Sequence, residues 1–343
     1  MKHSLTLILL LAVICLAAVP AQAAAPANST ALFERTITDD YGTTITIHEK
    51  PQRIVSLAPT NTEILFRLGL GDRVVGVTDY CNYPAAATAK PKIGGYSTVS
   101  VENVIAQKPD LVIASYGNGA ELVDHLKKLN LTVIVTNPEN VTGILNDITF
   151  VGTATGADDN ATALVDSLTT RIQNIEKNAS LMTTHPKVAH IIWNDPIYAS
   201  GNGTFQDQLI TMAGGTNAFA GKNDYATIGI EDFIAADPDV LIVNSGSGMG
   251  GDENSIARYF ENETRFLNVA AIKNHRVYVI DSDTVDRAGP RIVDALEIVA
   301  GDIQSAGTVA PTGTPSPKVP GFEMVPALVA LAAGSVVALR RLR

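Results

Sequence analysis

The sequence predicts an α/β protein of two similar parallel-sheet lobes joined by one long α-helix. An internal repeat is the first reason, since residues 96–119 recur as residues 225–248 with ten identical positions at a constant offset of 129. The second is the pattern within each copy, in which an amphipathic helix, a Pro-Asp pair and a short apolar run follow one another. The third is a long amphipathic helix over residues 158–178, between the two copies. Because the two copies are separated by 129 residues, we expect one copy in each of two lobes with similar folds.

Each copy of the repeat is expected to form a helix followed by a buried strand. An early acid, Glu102 or Glu231, favours a helix N-terminus because its charge offsets the positive end of the helix dipole. The Pro-Asp pair then stops the helix. The apolar runs 111–114 and 240–243 are short and β-branched, which is typical of strands buried on both faces of a parallel sheet. Glycine-bearing loops follow at the sheet edge where open α/β proteins bind ligands.

The first lobe is assigned to residues 36–157. Polar and β-branched residues alternate around an Asp-Tyr-Gly turn, which predicts an exposed hairpin over residues 36–47. A buried strand over residues 53–57 leads into a helix over residues 62–68 that a glycine ends. The other strands of this lobe are expected over residues 74–77, 111–114 and 133–135.

The connecting helix is assigned to residues 158–180. Asp158 or Asp159 can cap its N-terminus, and apolar residues recur every three or four positions along one face. A single helix is a stiffer connector than crossover strands. The second lobe is assigned to residues 186–305. Besides the repeat unit, its expected elements are strands over residues 188–192 and 277–280 and helices over residues 207–213 and 291–303.

The two ends of the chain indicate export and anchoring. Residues 1–23 combine a lysine, an apolar stretch and an Ala-Gln-Ala exit, which predicts a secretory signal peptide and an extracytoplasmic mature protein. Residues 308–320 have the Thr, Pro and Gly content of an extended linker. Residues 321–343 are apolar with a basic stop, which predicts anchoring to the outer face of the cell membrane. The Pro-Gly-Phe tripeptide at this junction resembles an archaeal sorting signal, which implies that a lipid replaces the helix; a retained helix is the alternative.

The composition argues against several classes of protein. A formal net charge of −10 at pH 7 disfavours nucleic acid as a partner. Removal of the signal peptide leaves Cys81 as the single cysteine, so no intramolecular disulfide can form. The mature length of about 280 residues is enough for two domains of ordinary size, and we expect a monomer.

Four segments carry a resemblance to a known family. They are Arg-Ile-Val-Ser-Leu-Ala-Pro-Thr-Asn-Thr-Glu from Arg53, the Asp-Tyr-Cys-Asn-Tyr-Pro loop from Asp79, the Lys-Pro-Asp strand from Lys108 and Asp-Arg-Ala-Gly-Pro-Arg from Asp286. Over residues 36–303 the chain resembles the class III extracytoplasmic solute-binding proteins, and their cobalamin-binding branch more than their iron-siderophore branch. The resemblance implies the class III periplasmic-binding-protein fold, a ligand held in the interlobe cleft, and delivery to the permease and ATPase of an ABC importer.

Two glutamates have a role that the resemblance implies. Glu63 and Glu231 open helices on separate lobes, and in this family glutamates matching these positions dock onto arginines of the permease. Charge complementarity would let an importer grip both lobes. The alternative is that both carboxylates merely complement helix dipoles. Glu102, the repeat equivalent of Glu231, does not match a docking position and is expected to be the control.

The same resemblance directs several side chains at the cleft. The aromatic ones are Tyr83, Tyr96, Tyr116 and Trp193, and the charged ones are Asp286, Arg287 and Arg291. Aromatic faces suit a large flat ligand such as a corrin or a catecholate iron complex, and guanidinium groups can donate to amides or anionic oxygens. The cobalamin branch often has tryptophan where this chain has Tyr96. A corrinoid is therefore the first expectation, and a ferric siderophore and haem stay open.

Other chemistry has less support in the sequence. Gly246, Gly248 and Gly251 fit a dinucleotide-binding loop, but the first repeat copy lacks the third glycine and no acid follows at the usual distance. The histidines are scattered, so no metal site is predicted. No nucleophile, base and orienting acid are grouped on the cleft loops, which argues against an enzyme. A membrane-anchored cleft enzyme is kept as the less favoured alternative, and no cofactor is expected.

Overall fold

The computed structural model describes residues 33–245 and 252–307. The expected signal peptide, linker and membrane anchor lie outside the described residues, as do the glycines of the dinucleotide-type pattern. Within the described ranges, no helix combines the length and the apolar character needed to cross a bilayer.

The N-terminal lobe is built on a four-stranded parallel sheet in the order β4-β3-β5-β6, preceded by the hairpin β1-β2. Its elements are β1 (Arg35–Thr38), β2 (Thr44–Ile47), β3 (Ile54–Ser56), α1 (Pro59–Arg67), β4 (Val74–Val77), α2 (Ala85–Thr88), α3 (Val101–Ala106), β5 (Leu111–Ser115), α4 (Ala120–Lys128), β6 (Val133–Thr136) and α5 (Val141–Thr155). Nearly all residues of the four sheet strands are buried, as expected for a parallel sheet covered on both faces.

The connecting helix α6 (Asp158–Ala179) leads into a C-terminal lobe whose sheet has the order β10-β8-β7-β11-β12, with β9 beside β7. The elements of this lobe are β7 (Lys187–Asn194), β8 (Ile197–Ser200), α7 (Phe205–Met212), β9 (Thr216–Asn217), β10 (Tyr225–Ile228), α8 (Ile230–Ala236), β11 (Val240–Asn244), α9 (Ser255–Asn262), α10 (Ala270–Lys273), β12 (Val277–Ile280), α11 (Ser282–Val285) and α12 (Ile292–Ala306). The α/β class with two lobes and one long connecting helix is confirmed.

The sheet of the C-terminal lobe is mixed, which the sequence analysis did not predict. Strand β8 runs antiparallel to both β7 and β10, whereas β7, β11 and β12 are parallel. Only Asp195 and Pro196 separate β7 from β8. So short a connection cannot make a parallel crossover, and β8 must reverse direction beside β7. The expected parallel arrangement holds for the first lobe and for the centre of the second.

The internal repeat is visible in the structure as α3 with β5 and α8 with β11. Both helices are followed by a left-handed residue, with φ of 48° in the first copy and 42° in the second. The carboxylate of Asp110 accepts an N–H bond from Arg53 before β3 (2.9 Å), and that of Asp239 accepts one from Lys187 in β7 (2.8 Å). Each aspartate of the Pro-Asp pairs thus fixes the start of a neighbouring strand.

Helix α6 packs against both lobes. Its buried stripe includes Leu164, Leu168 and Ile172, and it belongs to one apolar core that also contains Ile54 of the first sheet and Val240 of the second. Interiors packed to this degree deform little. The shared core therefore holds the two lobes in a fixed relation.

Burial of Asp147 in α5 should make stability depend on pH. Burial and the neighbouring Asp40 carboxylate raise the pKa of Asp147 from 3.8 to about 8. Between those values the folded protein keeps a proton that the unfolded chain has lost, so the free energy of unfolding should fall as pH rises. Asp147→Asn should weaken this dependence and stabilise the protein more at pH 8 than at pH 5.

Denaturant titrations at pH 5 and pH 8 measure this effect. The control is Asp166→Asn, at an exposed position of α6. If both substitutions change the free energy of unfolding equally at pH 8, the raised pKa of Asp147 is not the cause of the pH dependence.

Candidate functional site

A cavity of about 570 Å³ lies between the two lobes. On the N-terminal side it is lined by the carboxyl ends of β3, β4, β5 and β6 and the segments after them, together with Tyr96 and Ser97. On the C-terminal side residues 286–288 line it, just before α12. A smaller cavity of about 290 Å³ is lined by the N-terminal lobe and the first turn of α6, and no residue of the C-terminal lobe lines it. Because open α/β sheets bind ligands at the carboxyl ends of their strands, the interlobe cavity is the candidate site.

Tyr96 is held in the wall of the cavity by its neighbours. Its hydroxyl shares a hydrogen bond of 3.1 Å with the Ser115 hydroxyl at the end of β5. Buried Asn118 donates to the backbone carbonyls of Tyr96 (2.8 Å) and Leu57 (2.9 Å) and accepts from the backbone N–H of Ser115 (2.7 Å). One amide side chain thus joins three cleft loops. Sequence reasoning missed Asn118, although it lies inside the repeat loop that had been singled out.

Gly117 allows Tyr96 to take this position. A methyl group on Gly117 would collide with the Tyr96 phenol, since the ring lies directly over the glycine. Gly117 is one of the two glycines that the repeat copies share. Glycine is required at position 117 because the Tyr96 side chain approaches the backbone closely there.

Tyr80 is a cavity residue that the sequence analysis did not select. Its side chain lines the cavity and the residue is 62% exposed. It lies in the same Asp-Tyr-Cys-Asn-Tyr-Pro loop as Tyr83, which was selected instead. The sequence pattern identifies this loop, but it does not show which of the two tyrosine rings, Tyr80 or Tyr83, faces the cleft.

Glu63 and two arginines form a buried ion-pair network between the lobes. Glu63 in α1 is 1% exposed. Arg291 donates to it through Nε (2.9 Å to Oε2) and Nη2 (2.7 Å to Oε1), and Arg287 donates through Nη1 (3.2 Å to Oε1). Both arginines come from the opposite lobe. A bidentate contact with an additional donor is the geometry in which a buried carboxylate is well compensated.

Further contacts surround this interlobe clasp, as we name Glu63, Arg287 and Arg291 together. Arg287 also binds Asp283 (2.7 Å) and the amide oxygen of Asn82 (2.8 Å). Asn82 in turn donates to Asp283 across the lobes (2.6 Å). The guanidinium of Arg291 lies 4.3 Å from the centre of the Tyr83 ring, a cation–π distance. Tyr83 and Arg291, expected to contact ligand, are thus placed in the contact between the lobes.

The docking role expected for Glu63 conflicts with this placement. A carboxylate that is almost fully buried and bonded to two arginines offers no surface to a partner protein. Glu102 and Glu231, in contrast, are both exposed in the first turns of α3 and α8. The residue expected to serve as the control therefore occupies the exposed position.

Asp286 is the carboxylate of the C-terminal wall. Its two oxygens accept from the side-chain amides of Gln206 (2.9 Å) and Asn244 (2.6 Å). Burial raises the pKa of Asp286 to about 6. The Tyr225 hydroxyl donates to Gln206 at 3.1 Å and so extends the network. No sequence signal marked Gln206 or Asn244, because their contact with Asp286 forms only when β11, α7 and the loop before α12 meet.

The remaining aromatic candidates lie outside the cavity lining. Tyr116 is 59% exposed and follows directly after Ser115, a lining residue. Trp193 is half-buried against the core of the second lobe and donates its indole N–H to the Asp195 carbonyl (2.9 Å). Of the seven residues expected at the ligand, the structure brings Tyr96, Asp286 and Arg287 into one cavity.

The candidate cavity is thus lined by two tyrosines together with a carboxylate and a guanidinium. Across the described part of the chain, no group of three or more His, Cys, Asp or Glu side chains is arranged to hold a metal ion. Phenol and hydroxyl groups on one side and charged groups on the other suit a ligand with a flat face and polar substituents.

Residues 54–284 match the family model described as periplasmic binding protein. The chain belongs to this family. Among its curated relatives is an uncharacterised ABC transporter substrate-binding lipoprotein of Bacillus subtilis, 33% identical over 281 residues, which covers 80% of this chain and 87% of that protein. The vitamin B12-binding protein of Vibrio cholerae is 26% identical over 251 residues, with 72% and 87% covered.

Solved structures of the family are similar in fold. The apo periplasmic haem-binding protein RhuT of Roseiflexus matches with a TM-score of 0.67 and 28% identity, covering 74% of this chain and 98% of that one. The haem-binding protein BhuT, in complex with two haems, has the same TM-score at 25% identity, with 74% and 98% covered. The chain is therefore a periplasmic binding protein whose relatives include an ABC transporter substrate-binding lipoprotein, a vitamin B12-binding protein and haem-binding proteins. All four of these relatives are named as binding proteins.

Loss of the Glu63 carboxylate should destabilise the protein. Glu63→Ala leaves the partly buried Arg287 and Arg291 without their shared partner, and breaking a buried pair in this way costs about 3–5 kcal/mol. Glu63→Gln keeps one acceptor and should cost less. Chemical denaturation measures both, with exposed Glu102→Ala as the matched control. A Glu63→Ala protein within about 0.5 kcal/mol of the wild type would show that the clasp is not a stabilising contact.

Proposed function

We propose that this protein is the extracytoplasmic receptor of an ABC importer and captures a cobalamin-like corrinoid in the interlobe cavity. The observation that supports it is the cavity lining, which combines Tyr80 and Tyr96 with Asp286 and Arg287. A corrin has broad apolar faces and an edge of amide substituents, so it would use both walls. The similarity to the vitamin B12-binding protein of Vibrio cholerae is consistent with this ligand.

Haem is the second candidate, and the phenols favour it specifically. A tyrosine oxygen is an established axial ligand of ferric haem, and Tyr80 and Tyr96 both line the cavity. Arg287 would face an anionic propionate. Both solved structures described above are named as haem-binding proteins.

The two ligands can be separated with one substitution. Isothermal titration of the wild-type protein with cyanocobalamin, hemin and a ferric hydroxamate identifies the ligand class. Tyr96→Phe removes the hydroxyl but keeps the ring, so it should reduce cyanocobalamin affinity less than about threefold. Hemin bound through Tyr96 should instead lose its ferric-phenolate absorbance and most of its affinity. A wild-type protein indifferent to all three compounds would overturn the proposed ligand class.

The substitution Gly117→Ala should weaken ligand binding indirectly, through Tyr96. The added methyl group displaces the Tyr96 ring from Ser115, and we expect an affinity loss of about tenfold, since small misplacements of a binding group are costly. The control is Gly221→Ala, because a methyl group there meets no atom. The same titration measures both variants, and equal affinities would contradict the positioning role of Gly117.

We propose that the permease docks on α3 and α8. These helices are repeat equivalents, one on each lobe, and each exposes a glutamate in its first turn, Glu102 and Glu231. Equivalent carboxylates on the two lobes suit a partner that contacts both through charge complementarity. Because Glu63 is buried, we propose Glu102 and not Glu63 as the docking glutamate of the first lobe.

The double variant Glu102→Ala with Glu231→Ala should impair uptake but leave ligand affinity unchanged, because neither residue lines the cavity. Uptake by vesicles that contain the cognate importer is the measurement. The matched control is Glu121→Ala with Glu261→Ala, which removes exposed glutamates from α4 and α9. Normal uptake by the first pair would rule out the docking surface.

We further propose that residues 321–343 anchor the protein to the outer face of the membrane, as a helix or through a lipid that replaces it. The apolar tail with its basic stop supports this. Detergent phase partitioning of the full chain against a chain ending at residue 307 tests it, and identical partitioning would count against an anchor.

A further inference from the structure

The hairpin β1-β2 lies against the edge of the ligand cavity. At its tip the backbone N–H of Asp40 donates to the carbonyl of Val135 in β6 (3.2 Å), and the N–H of Asn137 donates to the Asp40 carboxylate. Thr136, between those two partners, lines the cavity. The hairpin precedes residues 54–284, the segment that matches the family model. It therefore lies outside the matched segment and borders the mouth of the cleft through its contacts with β6.

The conformation of the hairpin tip is fixed by Asp39. Its buried carboxylate accepts from the backbone N–H groups of Tyr41 (3.1 Å) and Thr43 (2.8 Å). Lys127 of α4 reaches the same turn, with its ammonium 3.3 Å from the Thr43 hydroxyl. These bonds hold the backbone of Tyr41, so the direction of its side chain is set by the turn.

Tyr41 contacts Tyr116 on the rim of the cavity. The two rings meet edge to face, with centres 5.9 Å apart and planes at 86°. The Tyr41 hydroxyl donates to the backbone carbonyl of Tyr116 at 3.4 Å. Burial and the neighbouring Tyr116 raise the pKa of Tyr41, so the hydroxyl remains a donor at neutral pH. Tyr116 itself stays 59% exposed, with a free ring surface.

Tyr116 lies in the loop whose neighbouring residues contact Tyr96. It stands between Ser115, the hydrogen-bond partner of Tyr96, and Gly117, over which the Tyr96 ring lies. An exposed ring loses rotational freedom when it contacts a ligand, and a neighbour that already orders the ring lowers that cost.

We infer that the hairpin forms the outer rim of the ligand cleft and that Tyr41 is a positioning residue, which holds the Tyr116 ring ready for the face of a flat ligand. The ligand part of this inference rests on the proposed function, because it requires a ligand wide enough to reach beyond Tyr96. The positioning part is independent of the proposed function, because it concerns the order of the Tyr116 ring in the ligand-free protein.

The positioning part is tested with 3-fluorotyrosine placed at position 116 and read by fluorine NMR. Tyr41→Ala should shift and broaden the resonance, whereas Tyr41→Phe keeps the ring contact and should largely restore it. The matched control is Tyr278→Ala in β12, since Tyr278 also makes a hydroxyl bond of 3.4 Å but lies on the other lobe. A spectrum that Tyr41→Ala leaves unchanged would overturn the inference.

The ligand part is tested by titrating cyanocobalamin and hemin into the same proteins. An edge-to-face contact contributes about 0.5–1.5 kcal/mol, so Tyr41→Ala should weaken the probe that wild type binds by about twofold to tenfold. In a Tyr116→Ala background the same substitution should have no further effect. If Tyr41→Ala weakens binding equally in the wild type and in the Tyr116→Ala variant, Tyr41 does not act through Tyr116. If wild type binds neither probe, the proposed ligand class fails, whereas the fluorine spectrum still decides the positioning role.

Discussion

The ion pair that Glu63 makes with two arginines of the opposite lobe is the contact on which the cleft depends. A carboxylate removed from water is stable only when donors surround it, and Glu63 receives three N–H bonds from Arg287 and Arg291. Those bonds place Arg287 at the cavity and bring Arg291 over Tyr83. The interlobe contact and the ligand site therefore share residues. A change in the angle between the lobes would alter both.

Two features hold the lobes together, and they act at different places. The apolar stripe of α6 joins one core that reaches both sheets, while the clasp joins the lobes through ion pairs beside the cavity. A well-packed helix and a fully bonded carboxylate both resist gradual deformation. We therefore expect small lobe movements on ligand binding, with recognition by loops that are already ordered.

The duplication explains the scaffold but not the chemistry of the cleft. At the end of β5 the first copy places Ser115 beside Tyr96, so that wall presents phenol and hydroxyl groups. At the end of β11 the second copy has Asn244, whose amide holds the Asp286 carboxylate. Equal scaffolds with different residues at their carboxyl ends produce one aromatic wall and one charged wall. Under the proposed function, a ligand with a flat face and a polar edge would contact both walls.

The sequence by itself determined the α/β class, the two lobes, the long connecting helix and most element positions, because these follow from local periodicity, from Pro and Gly stops and from the repeat. It also pointed to the loops that carry Tyr80, Tyr83 and Tyr96. Only the tertiary structure decided which side chains on those loops face the cavity, and that Glu63 is buried. The partner of Glu63, Arg291, lies 228 residues away in the chain. No local pattern reports a contact of that range, because burial and pairing of a carboxylate depend on how complete elements pack.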